Sequence, residues 1–82
     1  MEVYFTRHAR NRMRLYEITE EDVRAALADP EQVTAGAFER QHAWKRRAQG
    51  SWVRVTFKDE GIRRVVITVT PKRESPGGSH AH

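Results

Sequence analysis

Three groups of cations, Lys45-Arg46-Arg47, Arg54 and Lys72-Arg73, recur at intervals that two tight turns could fold onto one another. Guanidinium and ammonium groups that converge can grip a phosphate backbone and stabilise the charge of a phosphorane-like transition state. Such chemistry also needs a group that moves a proton, and an imidazole with an ordinary pKa near 6.5 suits that work. His8 lies in FTRHARNRM (5–13), His42 in HAWKRR (42–47), and His80 and His82 in the terminal ESPGGSHAH (74–82). No glycine-rich phosphate loop, zinc-ligand spacing or nucleophile elbow occurs. The two terminal histidines could supply at most an adventitious metal site, so neither metal nor cofactor is expected. The competing reading of the cations is a solvated sheet edge whose charge prevents edge-to-edge pairing.

The elements that must carry these residues can be read from periodicity. Phe5, Ala9, Met13 and Tyr16 fall at helical spacing after Thr6, a suitable N-cap, and Glu2–Phe5 ahead of them reads as a short strand. A second helix starts at Thr19, with Glu20, Glu21 and Asp22 in its first turn and Ile18 and Val23 placed as a staple; Pro30 ends it. Residues 38–45, 52–58 and 63–70 then read as strands joined by RRAQG (46–50) and DEG (59–61). The alternation predicts that 51–58 and 63–70 pair as an antiparallel hairpin, with Val53, Val55, Ile67 and Val69 toward the helices and Arg54, Thr56, Thr68 and Thr70 on the other face. The phase of 38–45 stays open, because Phe38 and Trp44 share a face with Arg40 and His42. The expected class is α+β, two N-terminal helices on a three- to four-stranded antiparallel meander, with a single domain over 1–73 and a flexible tail over 74–82. In that meander Lys45, Arg46, Arg47, Lys72 and Arg73 should gather at one end of the sheet near Arg54.

Eighty-two residues allow one core. A chain of this size buries about 60% of its unfolded surface, so a homodimer or a partner protein could supply further burial. Fifteen Lys and Arg against eleven Asp and Glu leave a net charge of +4, and twelve of the fifteen are arginine. That balance leans toward a polyanionic partner. The absence of cysteine and of any long apolar run fits a cytoplasmic protein with neither disulfides nor a membrane anchor.

HAWKRRAQGSWVRVTFKDEGIRRVVITVTPKRE (42–74) resembles the C-terminal half of the RelE/ParE-like toxin superfamily. FTRHARNRM with EITEEDVRAALADPE (17–31) is similar to small domains related to BrnT toxins, whose pattern is Ser/Thr-x-His-Ala-x-x-Arg followed by an Ile-Thr-x-Glu-Asp-Val helix. The resemblance implies a metal-independent endoribonuclease acting on messenger RNA, often on the ribosome, and paired with a small antitoxin protein. It would make Lys45 and Arg47 the basic residues that end the first meander strand, Arg54 the arginine of the second, and Lys72 or Arg73 the basic exit. One departure stands out: residues 71–79 hold neither the tyrosine nor the histidine that such enzymes carry near the C-terminus. His8 or His42 would then have to replace it.

The candidate catalytic set is therefore Arg54, Lys45, His8 and Lys72, with Arg46, Arg47, Arg54, Lys72, Arg73 and Arg12 as nucleic-acid contacts. His8 has a second reading, and the residues favour it: an imidazole tied down where the first helix meets the sheet, since it flanks the apolar stripe. The alternative to an enzyme is a non-catalytic domain that binds RNA or protein through the same patch.

Overall fold

The first helix is fixed at both ends by hydrogen bonds that its sequence supplies. The structure, a computed structural model, describes residues 2–76. Strand β1 (Glu2–Phe5) leads through Thr6 into helix α1 (Arg7–Tyr16). The Thr6 hydroxyl accepts the amide of Ala9 at 3.0 Å, which caps the helix, and donates to the carbonyl of Ile67 at 3.1 Å. At the far end Glu17 takes a left-handed conformation (φ 57°), and the amide of Ile18 reaches back to the carbonyl of Met13 at 2.9 Å. Helix α2 (Glu20–Ala28) opens on a complete capping box: Thr19 and Asp22 each accept the other's backbone amide at 3.1 Å.

Four more strands follow: β2 (Gln32–Ala35), β3 (Gln41–Arg46), β4 (Trp52–Glu60) and β5 (Arg63–Lys72), with a short 3-10 turn at Ala48–Gly50 between β3 and β4. They form one five-stranded mixed sheet in the order β1-β5-β4-β3-β2. β1 runs parallel to β5, and every other pair is antiparallel. The domain is α+β, but the sheet is larger than the three or four antiparallel strands expected. β1 adds a parallel edge and β2 adds a strand where Gln32–Ala35 gave no clear periodicity. Phe38 does not belong to a strand; it sits in the β2–β3 turn, and β3 begins three residues later.

Both helices pack on one face of the sheet. Phe5, Ala9 and Met13 meet Val23 and Ala26 over Ala43, Val53, Val55, Phe57, Val66 and Val69. The pleat of β4 is as expected, but that of β5 is not. Thr56 pairs with Thr68 while Phe57 pairs with Val66, so Ile67 is an unpaired bulge residue. The extra residue shifts the phase: Val66 enters the core, Val65 turns away from it, and Ile67 is left half-buried. Near the hairpin tip, Arg64 grips Asp59 through Nε to Oδ1 at 2.6 Å and Nη2 to Oδ2 at 3.0 Å, and lies 4.4 Å from the Phe57 ring centroid.

No helix among the described residues is long and apolar enough to cross a membrane. Of the expected tail, residues 77–82 lie outside the described range, and His80 and His82 with them.

The bulge gives a test by unfolding in urea. Val66→Ala should lose about 2 kcal/mol, because Val66 is fully buried, and Ile67→Ala about 1 kcal/mol or less. Regular alternation would reverse that order, since isoleucine loses the larger side chain.

Candidate active site

On the sheet face away from the helices, alternate residues of β3, β4 and β5 form three cross-strand rows. His42, Thr56 and Thr68 make one; Trp44, Arg54 and Thr70 the next; Arg46, Trp52 and Lys72 the third. β2 extends two of them, Thr34 beside His42 and Gln32 beside Trp44. The indole of Trp44 donates to the Thr34 hydroxyl at 2.9 Å. Guanidinium groups cover both tryptophans, Arg54 at 5.8 Å from the Trp44 centroid and Arg46 at 5.0 Å from that of Trp52. The indoles are thereby 91–92% shielded although no helix lies over them; Trp44 is 9% exposed and Trp52 8%.

His42 stands in the row at one end of this face. Its Nδ1 is 2.8 Å from the hydroxyl of Thr56, a buried threonine that would otherwise lack a partner. Burial holds the imidazole below its ordinary value of 6.5, and the positive charges of Arg54 and Lys72 push it further down. It is therefore neutral at pH 7 and able to take up a proton. In the tautomer whose Nδ1–H donates to Thr56, the lone pair sits on Nε2. That nitrogen faces Gly36: a Cβ at that position would lie 2.8 Å from it. Gly36 does not have the left-handed φ that would require glycine, so clearance at the ring is what the missing side chain provides. The Nε of Arg54 is buried and has no hydrogen-bond partner among the described residues.

The sequence-derived candidates divide between the two faces. Arg54, Lys72 and Arg46 belong to the helix-free face, and Arg73 follows β5 as an exposed residue. Lys45 does not join them. It pairs with Val53 in the ladder and so points toward the helices, where Nζ donates to the carbonyl of Asp29 at 3.0 Å and lies 3.4 Å from its carboxylate. Arg47 lies 3.8 Å from Asp22 in the first turn of α2. The expected convergence of these two near Arg54 is thus corrected by strand phase and by the acids of α2. Arg12 stays on α1, bonded to the Tyr16 hydroxyl at 3.2 Å. His8 is exposed on the same helix, with no hydrogen bond to its ring among the described residues, so the expected tie to the sheet is absent. It is also on the opposite side of the sheet from His42.

Sequence reasoning named His42 only as an alternative base and passed over Trp44, Trp52, Thr56 and Gly36. The signal was available: His42, Trp44 and Arg46 alternate with small or paired residues, but including Phe38 in the strand blurred the phase. Among the described residues, no group of three or more His, Asp or Glu side chains could hold a metal ion.

A family model described as "Domain of unknown function (DUF4258)" matches residues 5–71, a span that holds every residue of the three rows except Lys72. Comparison with curated proteins and with solved structures gave no match.

Titration of the His42 ring by NMR should show an inflection below 6.5, moving up toward that value in Arg54→Ala. Because the folded-state pKa is lowered, the unfolded chain binds more protons below about pH 6.5. Stability should therefore fall as pH drops through that window, and His42→Gln should flatten the fall. Gly36→Ala should displace the ring from Thr56 and raise its pKa toward the ordinary value; an unchanged titration would mean the ring has room to spare.

Proposed function

Starting from a chain that belongs to the DUF4258 family, we propose that it is a metal-independent endoribonuclease of the toxin type that cuts single-stranded RNA on the helix-free face. The observation that carries this reading is an imidazole held by Thr56 on the same face as Arg54 and Lys72, its pKa lowered by burial and by their charges. His42 Nε2 takes the proton of a ribose 2′-hydroxyl, whose oxygen attacks the adjacent phosphorus. Arg54 stabilises the charge gathering on the phosphoryl oxygens. The P–O5′ bond breaks, and the leaving oxygen receives a proton from the Lys72 ammonium. The products are a 2′,3′-cyclic phosphate and a 5′-hydroxyl end. Arg54 and Arg46, stacked on Trp44 and Trp52, give a cationic track along the face suited to the backbone of a single strand.

The finer RelE/BrnT-like assignment is supported by the order of elements and by the roles of the Thr6-x-His8-Ala9 segment: Thr6 caps α1 and Ala9 is fully buried in the core. With that assignment comes a small antitoxin protein that would neutralise the activity. A second reading, RNA binding without cleavage, is favoured by one feature: among the described residues no second imidazole stands on this face.

Purified protein in excess chelator should cleave labelled single-stranded RNA to cyclic-phosphate ends. His42→Gln should slow cleavage by on the order of 10²–10⁴ while leaving the fold intact. Arg54→Ala should slow it by on the order of 10²–10³ and make the log–log salt slope of binding shallower by about 0.7. Induced expression of the wild type, but not of Arg54→Ala, should arrest bacterial growth. Arg54-dependent binding with no cleavage under any condition would leave the binding domain as the function.

A further inference from the structure

The turn between β2 and β3 is strained in a way its sequence could have avoided. Arg40 donates its amide to the carbonyl of Ala37 at 3.1 Å, so Phe38 and Glu39 are the central residues of a tight turn. Both are left-handed, with φ of 57° and 64°, the pattern of a type I′ turn that favours Asn-Gly. Neither Phe nor Glu suits those positions. The one glycine of the loop, Gly36, sits instead where it clears His42 Nε2. Strain that a sequence retains is the starting point for a functional hypothesis.

The strain presents Phe38 to solvent, 81% exposed. Its neighbours Ala37, Glu39 and Arg40 are exposed too, and two of them are charged. Phe38 is therefore the one large apolar side chain of its turn, followed by two charged residues. It stands at the His42 end of the face: Thr34 pairs with His42, Ala35 with Gln41, and the amide of Gly36 donates to Arg40 at 2.9 Å just before the turn. Two residue steps and the turn separate Phe38 from the imidazole row, about 10 Å along the strands. An exposed ring at that distance from the imidazole row fits the π-face of a nucleobase.

We propose that Phe38 is the stacking platform for a base adjacent to the phosphate handled by His42 and Arg54, and so helps to set where the strand is engaged. This rests on the RNA reading above. Binding would be measured with a single-stranded RNA oligomer and with a series of the same oligomer carrying one abasic position each, for wild type, Phe38→Ala, Phe38→Trp and the double variant Phe38→Asn with Glu39→Gly. Phe38→Ala should weaken the intact oligomer about tenfold, within the range for one stacked base. That loss should vanish on the oligomer whose missing base is the stacked one, and Phe38→Trp should bind like wild type. The double variant should melt at a higher temperature, because Asn-Gly suits the turn, yet bind as weakly as Phe38→Ala. Arg54-dependent binding that Phe38→Ala leaves intact, or weakens equally at every abasic position, overturns the role of Phe38 alone. Absence of any Arg54-dependent binding by the wild type overturns the RNA reading and the stacking role together.

Discussion

One hydroxyl joins the two halves of the molecule. Thr6 accepts from the first turn of α1 and donates to the carbonyl of Ile67, the bulge residue of β5, while its own amide bonds to the carbonyl of Val66 at 3.1 Å. Three polar groups that a helix start and a bulge would leave unpaired are thus satisfied at one place. The bulge in turn sets the phase of β5. Val66 and Val69 face the helices on either side of it, and Thr68 and Thr70 line up with Thr56 and Arg54 on the other face. Without the extra residue, the lower half of β5 would present its other side to the core. The side chain that starts the chain's first helix therefore also secures the rows in which His42 and Arg54 stand.

Charge on this surface is divided by what lies opposite it. On the helix side the cations Lys45, Arg47 and Arg10 meet Asp29, Asp22 and, at 3.0 Å, Glu20, while Arg10 and Arg64 also lie over the rings of Phe5 and Phe57. Those on the open side meet rings, Arg54 over Trp44 and Arg46 over Trp52. Pairing with a carboxylate neutralises a guanidinium, whereas stacking on an indole leaves its full charge and its in-plane donors available. Arg46 does both, since its Nε also lies 4.0 Å from Glu31. On the open face the charges of Arg54 and Lys72 act directly on the His42 imidazole.

The parts of this arrangement that could be read in the sequence are those set by local chemistry. The N-cap of α2, the α1 stripe as far as Met13 and the alternation of β4 each depend on residues within a few positions of one another, and they stand where the spacing placed them. Tyr16, the last residue expected in that stripe, is exposed instead. The parts that escaped depend on partners far away. Whether Ile67 or Val66 enters the core is decided by a bulge that Thr6 secures. β2 has four residues and little apolar character, and it exists because β3 offers it an edge. Phe38 looked like strand because aromatic residues favour strands, yet it occupies a left-handed turn. That error hid the phase of β3, and with it the outward position of His42 and the inward position of Lys45.

The parallel pairing of β1 with β5 orders events in time. Glu2 lies beside Arg63 in the sheet, and the Thr6–Ile67 bond spans 61 positions of chain. Contacts of that span close late, since loop entropy must be overcome first. During synthesis the chain emerges N-terminus first, so β1 and α1 are made long before the strand that completes them. Until β5 is made, α1 lacks its anchor, β4 has an open edge, and the helix-free face has neither Lys72 nor its last column of threonines. The face that carries His42 and Arg54 is complete only once β5 lies beside β4.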